Sequence, residues 1–457
     1  MMNFDLLVVN GDVVTKKGSE RLDIGVSRGI ITVLSPNLNR NADRVIDATG
    51  KLVFPGFIDA HTHMGIPIMN THSIDDFESG SVAAAFGGVT TIIDFTVQEK
   101  GQSLRESVEL RIKKAQTCHV DCGLHVNITD QPEKRLSEIS DLITDGFTAF
   151  KVFSTYRQSG MMVTWDEFRK VLQQVNEHGG LLCLHAEDNE LVESCTAEHL
   201  HTGGAAAISH ARSRPAEAEA RAIARAAEIA GDLGAALYVV HVSSQAGLEA
   251  GLRARVRGVR IFLETCPQYL LLNEESYRRE NGHRWITTPP LRTKLDTEAL
   301  WEGLAADQID VVGTDHCPFT IQQKEAGRDA FHLTPNGLPG VETLFPLMFT
   351  YGIKTGRISL QQLLRVLAEN PARIFGLSNH KGALRVGADA DLVIWNPEGE
   401  QTITARGLHG RADWSPYEGM TVAGKLEYTI LRGRILVEGD EFLGNAVQGK
   451  LQVGSRQ

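Results

Sequence analysis

Hydrophobic and polar positions alternate in two different ways along this chain. Residues 4–54 carry short apolar runs broken by turns: Leu6-Leu7-Val8-Val9, the turn Asn10-Gly11-Asp12, Val13-Val14, and Ile30-Ile31-Thr32-Val33-Leu34. Runs of this length between turn residues predict short strands of a sandwich. The pattern returns in Ala390-Asp391-Leu392-Val393-Ile394-Trp395 and in Tyr428-Thr429-Ile430-Leu431, where Arg432-Gly433-Arg434 turns the chain into Ile435-Leu436-Val437. Both chain ends are thus expected to build one small β-sandwich domain, residues 1–54 plus 380–457.

Between the ends, strand-like apolar runs alternate with stretches of helical period. The runs are Leu52 to Ile58, Val89 to Phe95, Gly123 to Ile128, Phe147 to Phe153, Leu181 to Leu184, Leu237 to Val242, Val259 to Leu263 and Ile309 to Val312. Helices are predicted between them, as over Trp165 to Glu177, Pro215 to Leu233 and Gln245 to Arg257, the second opening on a favourable proline. Alternating β and α units predict an α/β fold, a parallel (β/α)8 TIM barrel over residues 55–379, with a doubly wound open sheet as the alternative.

Composition adds exclusions. Hydrophobic residues at 42% and charged residues at 23% of 457 suffice for a large core. A formal charge of −11 disfavours nucleic acid and anionic membrane surfaces as partners. The one basic run, Arg253, Arg255, Arg257 and Arg260, reads as a solvated helix edge. Six cysteines, at 118, 122, 183, 195, 266 and 317, have neither zinc-ribbon spacing nor the density of a disulfide scaffold, which suits a reducing cytoplasm. Met1-Met2-Asn3-Phe4-Asp5-Leu6 lacks an export pattern, and no apolar run reaches membrane-spanning length.

The chemistry sits at the predicted strand ends. His61 and His63 flank Thr62 just past the first run, and in extended chain positions i and i+2 point the same way, so both imidazoles can reach one metal. Lys151, His185, His241 and Asp315 each stand at the end of a later run, the end where barrel active sites lie. Six metal-competent side chains would be costly in an apolar interior without partners or ions. Nitrogen and oxygen donors suit zinc, and also accept manganese, cobalt or iron. Lys151 is the odd member, because an ammonium binds no cation. Burial and nearby metals disfavour its charge, and a neutral amine reacts with carbon dioxide. The resulting carbamate would offer two oxygens to bridge two metals.

Taken in order, His61-Thr62-His63, Lys151, His185, His241 and Asp315 resemble the binuclear amidohydrolase superfamily. Phe150-Lys151-Val152-Phe153 with Tyr156, Thr288-Pro289-Pro290-Leu291-Arg292, Gly313-Thr314-Asp315-His316-Cys317-Pro318-Phe319 and Pro335-Asn336-Gly337 are most similar to bacterial D-hydantoinases and dihydropyrimidinases, across nearly the whole chain. The resemblance implies two divalent metal ions per chain, by default zinc. His61, His63, carboxylated Lys151 and Asp315 would hold one, and Lys151, His185 and His241 the other, with a hydroxide between them. Asp315 would also be the base, Tyr156 would donate to the developing oxyanion, and main-chain atoms near Thr288 and Asn336 would read the substrate. The implied substrate is a cyclic ureide, a hydantoin or 5,6-dihydropyrimidine opened to an N-carbamoyl amino acid. A homodimer or homotetramer is implied as well. Thr288 departs from the serine common at that place, which matters little where the backbone makes the contact.

Other enzymes of this superfamily remain open. Dihydroorotases usually follow the His-Xaa-His pair with an arginine, where this chain has Met64; allantoinases typically lack the tyrosine corresponding to Tyr156. A non-catalytic scaffold relative would have lost ligands that are all present here. His316 and His125 read as a supporting and an interior histidine, and Cys317 as packing. The segments Met64 to Met69 and Phe153 to Met162 are expected to overhang the site and line a pocket for the ring substituent.

Overall fold

The computed structural model describes residues 4–39, 41–204 and 206–455. Met1, Met2 and Asn3, part of the N-terminal stretch without an export pattern, lie outside the described residues. Eight parallel strands run in the order Phe57–Thr62, Val89–Phe95, Asp121–Asn127, Ala149–Phe153, Leu181–His185, Leu237–Val239, Ile261–Thr265 and Val311–Val312, each paired with the next. A parallel bridge between Thr62 and His316, with the His63 N–H on the His316 carbonyl at 2.8 Å, joins the last strand to the first. The sheet is a closed barrel, which leaves no open edge.

Strand parity decides what faces the axis. Ala149, Leu181, Cys183, Tyr238, Val240 and Val311 belong to the apolar cluster inside the barrel, and Phe150, Val152, Leu182, Leu184, Leu237 and Val239 to the one shared with the outer helices. Lys151 and His185 share parity with the first set, so the strands themselves aim them inward. Ala372, Ile374, Phe375 and Leu377 plug the opposite mouth. The helix Trp165–Glu177 shows how the outer layer forms: Thr164 and Glu167 close a capping box, and Phe168, Val171, Leu172 and Val175 bury one stripe. Fully burying each of these side chains contributes about 1.5–3 kcal/mol. Among the described residues no helix is long and apolar enough to cross a membrane.

The chain ends meet in one nine-stranded sheet, where Leu392 to Trp395 pair antiparallel with Pro55 to Leu52. Its inner face closes on Leu6, Val8, Val13, Ile24, Val26, Ile31, Leu392, Ile394 and Ile430. The run Leu52 to Ile58 therefore does not make a single barrel strand. It splits at Gly56 into Leu52–Pro55 of the outer sheet and Phe57–Thr62 of the barrel. The Gly56 N–H bonds to the Asp391 carbonyl at 2.9 Å, and a Cβ there would meet the Thr90 hydroxyl at 2.0 Å. A continuous apolar run hides this change of sheet because both halves are buried.

Lys381 links the two sheets. Its buried ammonium stands 2.5 Å from Asp121, 2.8 Å from Asp389 and 2.6 Å from Asp391. Asp121 also pairs with Arg432 and accepts the Lys450 N–H at 2.8 Å. Arg255, read from sequence as part of a solvated edge, instead turns inward to the Gln308 carbonyl at 2.6 Å and to Asp310.

Candidate metal centre

His61 and His63 leave the first strand where its pairing register slips between Asp59 and Thr62, an irregularity that re-aims side chains. Buried Asp59 steadies the turn: it accepts the His61 N–H at 3.2 Å and the N–H and hydroxyl of Thr314. The Nε2 atoms of His61 and His63 then lie 3.2 and 3.0 Å from one Asp315 oxygen. Across the barrel, His185 Nδ1 lies 2.9 Å from His241 Nε2. The His241 ring is 5.4 Å from that of His61, so the two groups share one chamber.

Parity would send His241 outward, since Tyr238 and Val240 face in. A left-handed backbone at His241, φ 41°, reverses it, and Asp315 at φ 52° and Tyr156 at φ 68° are held the same way. Such conformations cost of order 1–3 kcal/mol each in residues other than glycine, and they gather where a site is pre-organised.

Carboxylates orient the imidazoles. Glu264 accepts the His61 Nδ1–H at 2.7 Å, the His241 N–H at 3.0 Å and the Tyr238 hydroxyl at 2.7 Å. Glu187 accepts the His185 Nε2–H at 2.7 Å and pairs with Arg214. Each bond fixes a tautomer and leaves the other ring nitrogen as a free donor atom. Burial drives His61, His241 and His185 below the usual histidine range, which keeps them neutral. Burial also pushes Glu264 up to about 7. It works against ionised Asp315 too, but His61 and His63 beside that carboxylate hold it below its ordinary value.

Phe95 floors the chamber, 4.7 Å from the His61 ring, 4.8 Å from the His63 ring and 4.6 Å from the Lys151 ammonium; Phe153 is 5.1 Å from that ammonium. Burial lowers the Lys151 amine, and its charge is felt at His61, His185, His241 and Asp315 alike. It thus stands between the two groups. Tyr156 is half-buried above them, its ring 5.1 Å from His185 and under the Arg214 guanidinium at 5.1 Å. Asn336 stands two residues before Leu338, which pairs with His316 beside Asp315.

The donors suit metal ions. Two atoms bound to one tetrahedral ion at about 2.0–2.1 Å lie roughly 3.3 Å apart, close to the 3.0 and 3.2 Å separations at Asp315. The donor atoms of His61, His63 and Asp315 all fall within 4.8 Å of one another. Of the converging nitrogens, His61 Nε2 is buried without a hydrogen-bond partner, an unfavourable state for a polar atom unless a ligand takes it up.

Residues 52–436 match the amidohydrolase family. The chain belongs to that family. It is 39% identical to a D-hydantoinase of Ralstonia pickettii over 98% of both chains, and 40% identical to a D-phenylhydantoinase of Escherichia coli over 97% of both. The crystal structure of a dihydropyrimidinase from Brevibacillus agri superposes with a TM-score of 0.96 at 35% identity, covering 98% of each chain. This amidohydrolase therefore lies in the hydantoinase and dihydropyrimidinase branch and is a hydrolase of cyclic amides.

Sequence reasoning missed Glu264, Glu187, Phe95 and Asp59. A trace existed for two of them: Glu264 interrupts an apolar run, and Glu187 follows His185 by two. His316 accepts the Gly340 and Val341 N–H groups and donates to Asp75 at 3.1 Å, a supporting place. His125 sits inside the barrel, donating to the Ala60 carbonyl at 3.0 Å. Met64 departs from the expected pocket wall. It is buried, and its sulfur occupies the space that a side chain at Gly80 would need. Met69 is exposed.

Proposed function

We propose that this amidohydrolase opens hydantoins and 5,6-dihydropyrimidines to N-carbamoyl amino acids at a centre of two divalent ions, zinc in the first instance. In this reading His61, His63, Lys151 and Asp315 hold one ion, and Lys151, His185 and His241 the other, with Lys151 carboxylated. The observation that carries it is the convergence of these six side chains, from five strand ends, on one buried site, where His61 Nε2 has no hydrogen-bond partner. When bound, the ions supply a nucleophile from water at neutral pH and polarise the target carbonyl.

The protein does the rest. Asp315 accepts a proton from the attacking water and returns it to the departing ring nitrogen; held below its ordinary value it is ionised, and so free to accept, at neutral pH. Tyr156, held protonated by burial, donates to the oxygen that gains charge as the carbonyl becomes tetrahedral. Backbone groups at Thr288 and Asn336 hold the ureide. Phe95 and Phe153 keep the floor dry, which strengthens each of these interactions.

The same proposal takes residues 55–379 as the catalytic barrel and residues 1–54 with 380–457 as its β domain. It places the chain in a reducing cytoplasm, consistent with six free cysteines, as a homodimer or homotetramer. Ring-opening rates on dihydrouracil, 5-substituted hydantoins, allantoin and dihydroorotate test the substrate class. Turnover of the first two supports it, and turnover of only allantoin or dihydroorotate contradicts it.

A further inference from the structure

Lys324 is a buried cation that this chemistry does not use. It lies on the short helix Ile321–Glu325 with its side chain fully enclosed. Its Nζ donates to the Ile286 carbonyl at 2.7 Å and to the Pro335 carbonyl at 2.7 Å, with the Phe319 ring 5.4 Å away. Among the described residues no carboxylate lies within ion-pairing distance. Burial pushes the amine down to about 7, against which only the Cys317 thiol acts. A buried amine without an acid is expensive, so its place should serve something beyond packing.

Its two partners mark that place. Ile286 lies two residues before Thr288, and Pro335 immediately before Asn336. The Ile286 carbonyl also accepts the Gly337 N–H at 3.1 Å. The Thr288 turn is pinned to the barrel independently of Lys324: His210 donates to the Thr287 carbonyl at 2.7 Å, and the Tyr269 hydroxyl to the Pro289 carbonyl at 2.7 Å. Lys324 thus adds a side-chain brace to the single Gly337 N–H bond that joins the Asn336 turn to a turn already fixed.

We propose that Lys324 is a positioning residue for substrate, setting the separation of the Thr288 and Asn336 turns and so the width of the slot that reads the cyclic ureide. The inference rests on the proposed role of those two turns. A neutral amine retains two hydrogens, so both bonds survive loss of the charge, and the tie holds across the pH range in which the enzyme would work.

The test compares Lys324→Met, Lys324→Gln and, as a distant destabilising control, Lys381→Met with the wild type, using whichever of dihydrouracil or a 5-substituted hydantoin the wild type opens. Lys324→Met should keep its metals and a kcat within about threefold while KM rises about tenfold or more, the signature of binding lost equally from ground and transition states. Lys324→Gln, which keeps a donor, should fall between. Lys381→Met should leave KM unchanged, showing that lost stability alone does not widen the slot. An unchanged KM in Lys324→Met, or a fall confined to kcat, would overturn the proposal. Failure of both Lys324 variants to fold would assign the residue to the fold and overturn it equally. A wild type that opens no cyclic ureide would overturn the parent reading first, before any variant is compared.

Discussion

Glu264→Gln isolates the charge behind His61 while preserving its geometry. The glutamine carbonyl can still accept the His61 Nδ1–H and the His241 N–H, now at 2.7 and 3.0 Å, while its amide donates to the Tyr238 oxygen, now 2.7 Å from the carboxylate. Above about pH 7, where Glu264 is ionised, the substitution removes the anion and, at the far oxygen, the acceptor of the buried Tyr238 O–H. Hydrogen bonds to charged groups contribute about 1.5–3 kcal/mol and neutral ones about 0.5–1.5, so the imidazole loses roughly 1–1.5 kcal/mol of support. That corresponds to about tenfold in metal affinity, the lower part of the 10- to 100-fold range for partners of metal-bound histidines. Competition with a chromophoric chelator, on metal-depleted protein refilled by titration, measures it. An affinity within about twofold of wild type would refute the argument and leave Glu264 a packing residue.

Lys151→Ala should lose the bridging ligand, with fewer than two metals per chain and turnover collapsed; both metals retained at full activity would sink the carbamate. Tyr156→Phe should keep both metals and lower kcat by about 10²–10³-fold, and unchanged turnover would reject the oxyanion role. Lys381→Met leaves buried Asp121 and Asp391, and part-exposed Asp389, without their shared cation, which should cost about 3–5 kcal/mol in a denaturant melt; a loss under about 1 kcal/mol, as for a surface pair, would contradict it. Because burial lowers Lys324 to about 7 from 10.5, the unfolded chain holds a proton that the folded chain has released between those values. Stability should therefore rise with pH over that window. Lys324→Met should flatten the rise, and an identical slope in melts at neutral and alkaline pH would count against the buried titration.

What the sequence made legible was whatever depends on period and local order. The alternation of runs anticipated eight barrel strands, and helix Trp165–Glu177 has the bounds its pattern predicts. His61, His185 and Asp315 could be read at strand ends because polar residues stand out against apolar ones. Three features were hidden, each for a physical reason. Gly56 divides two buried strands that look like one run. The inward turn of His241 depends on a left-handed backbone that side-chain alternation cannot express. The partnership of Glu264 with His61 spans 203 residues and exists only because the barrel closes.

Counting metal ions per purified chain while following ring opening of a hydantoin or dihydrouracil tests the central claim most directly. About two divalent ions, with activity lost on chelation and restored as they return, is the result the site predicts. Full turnover with no metal bound would contradict it.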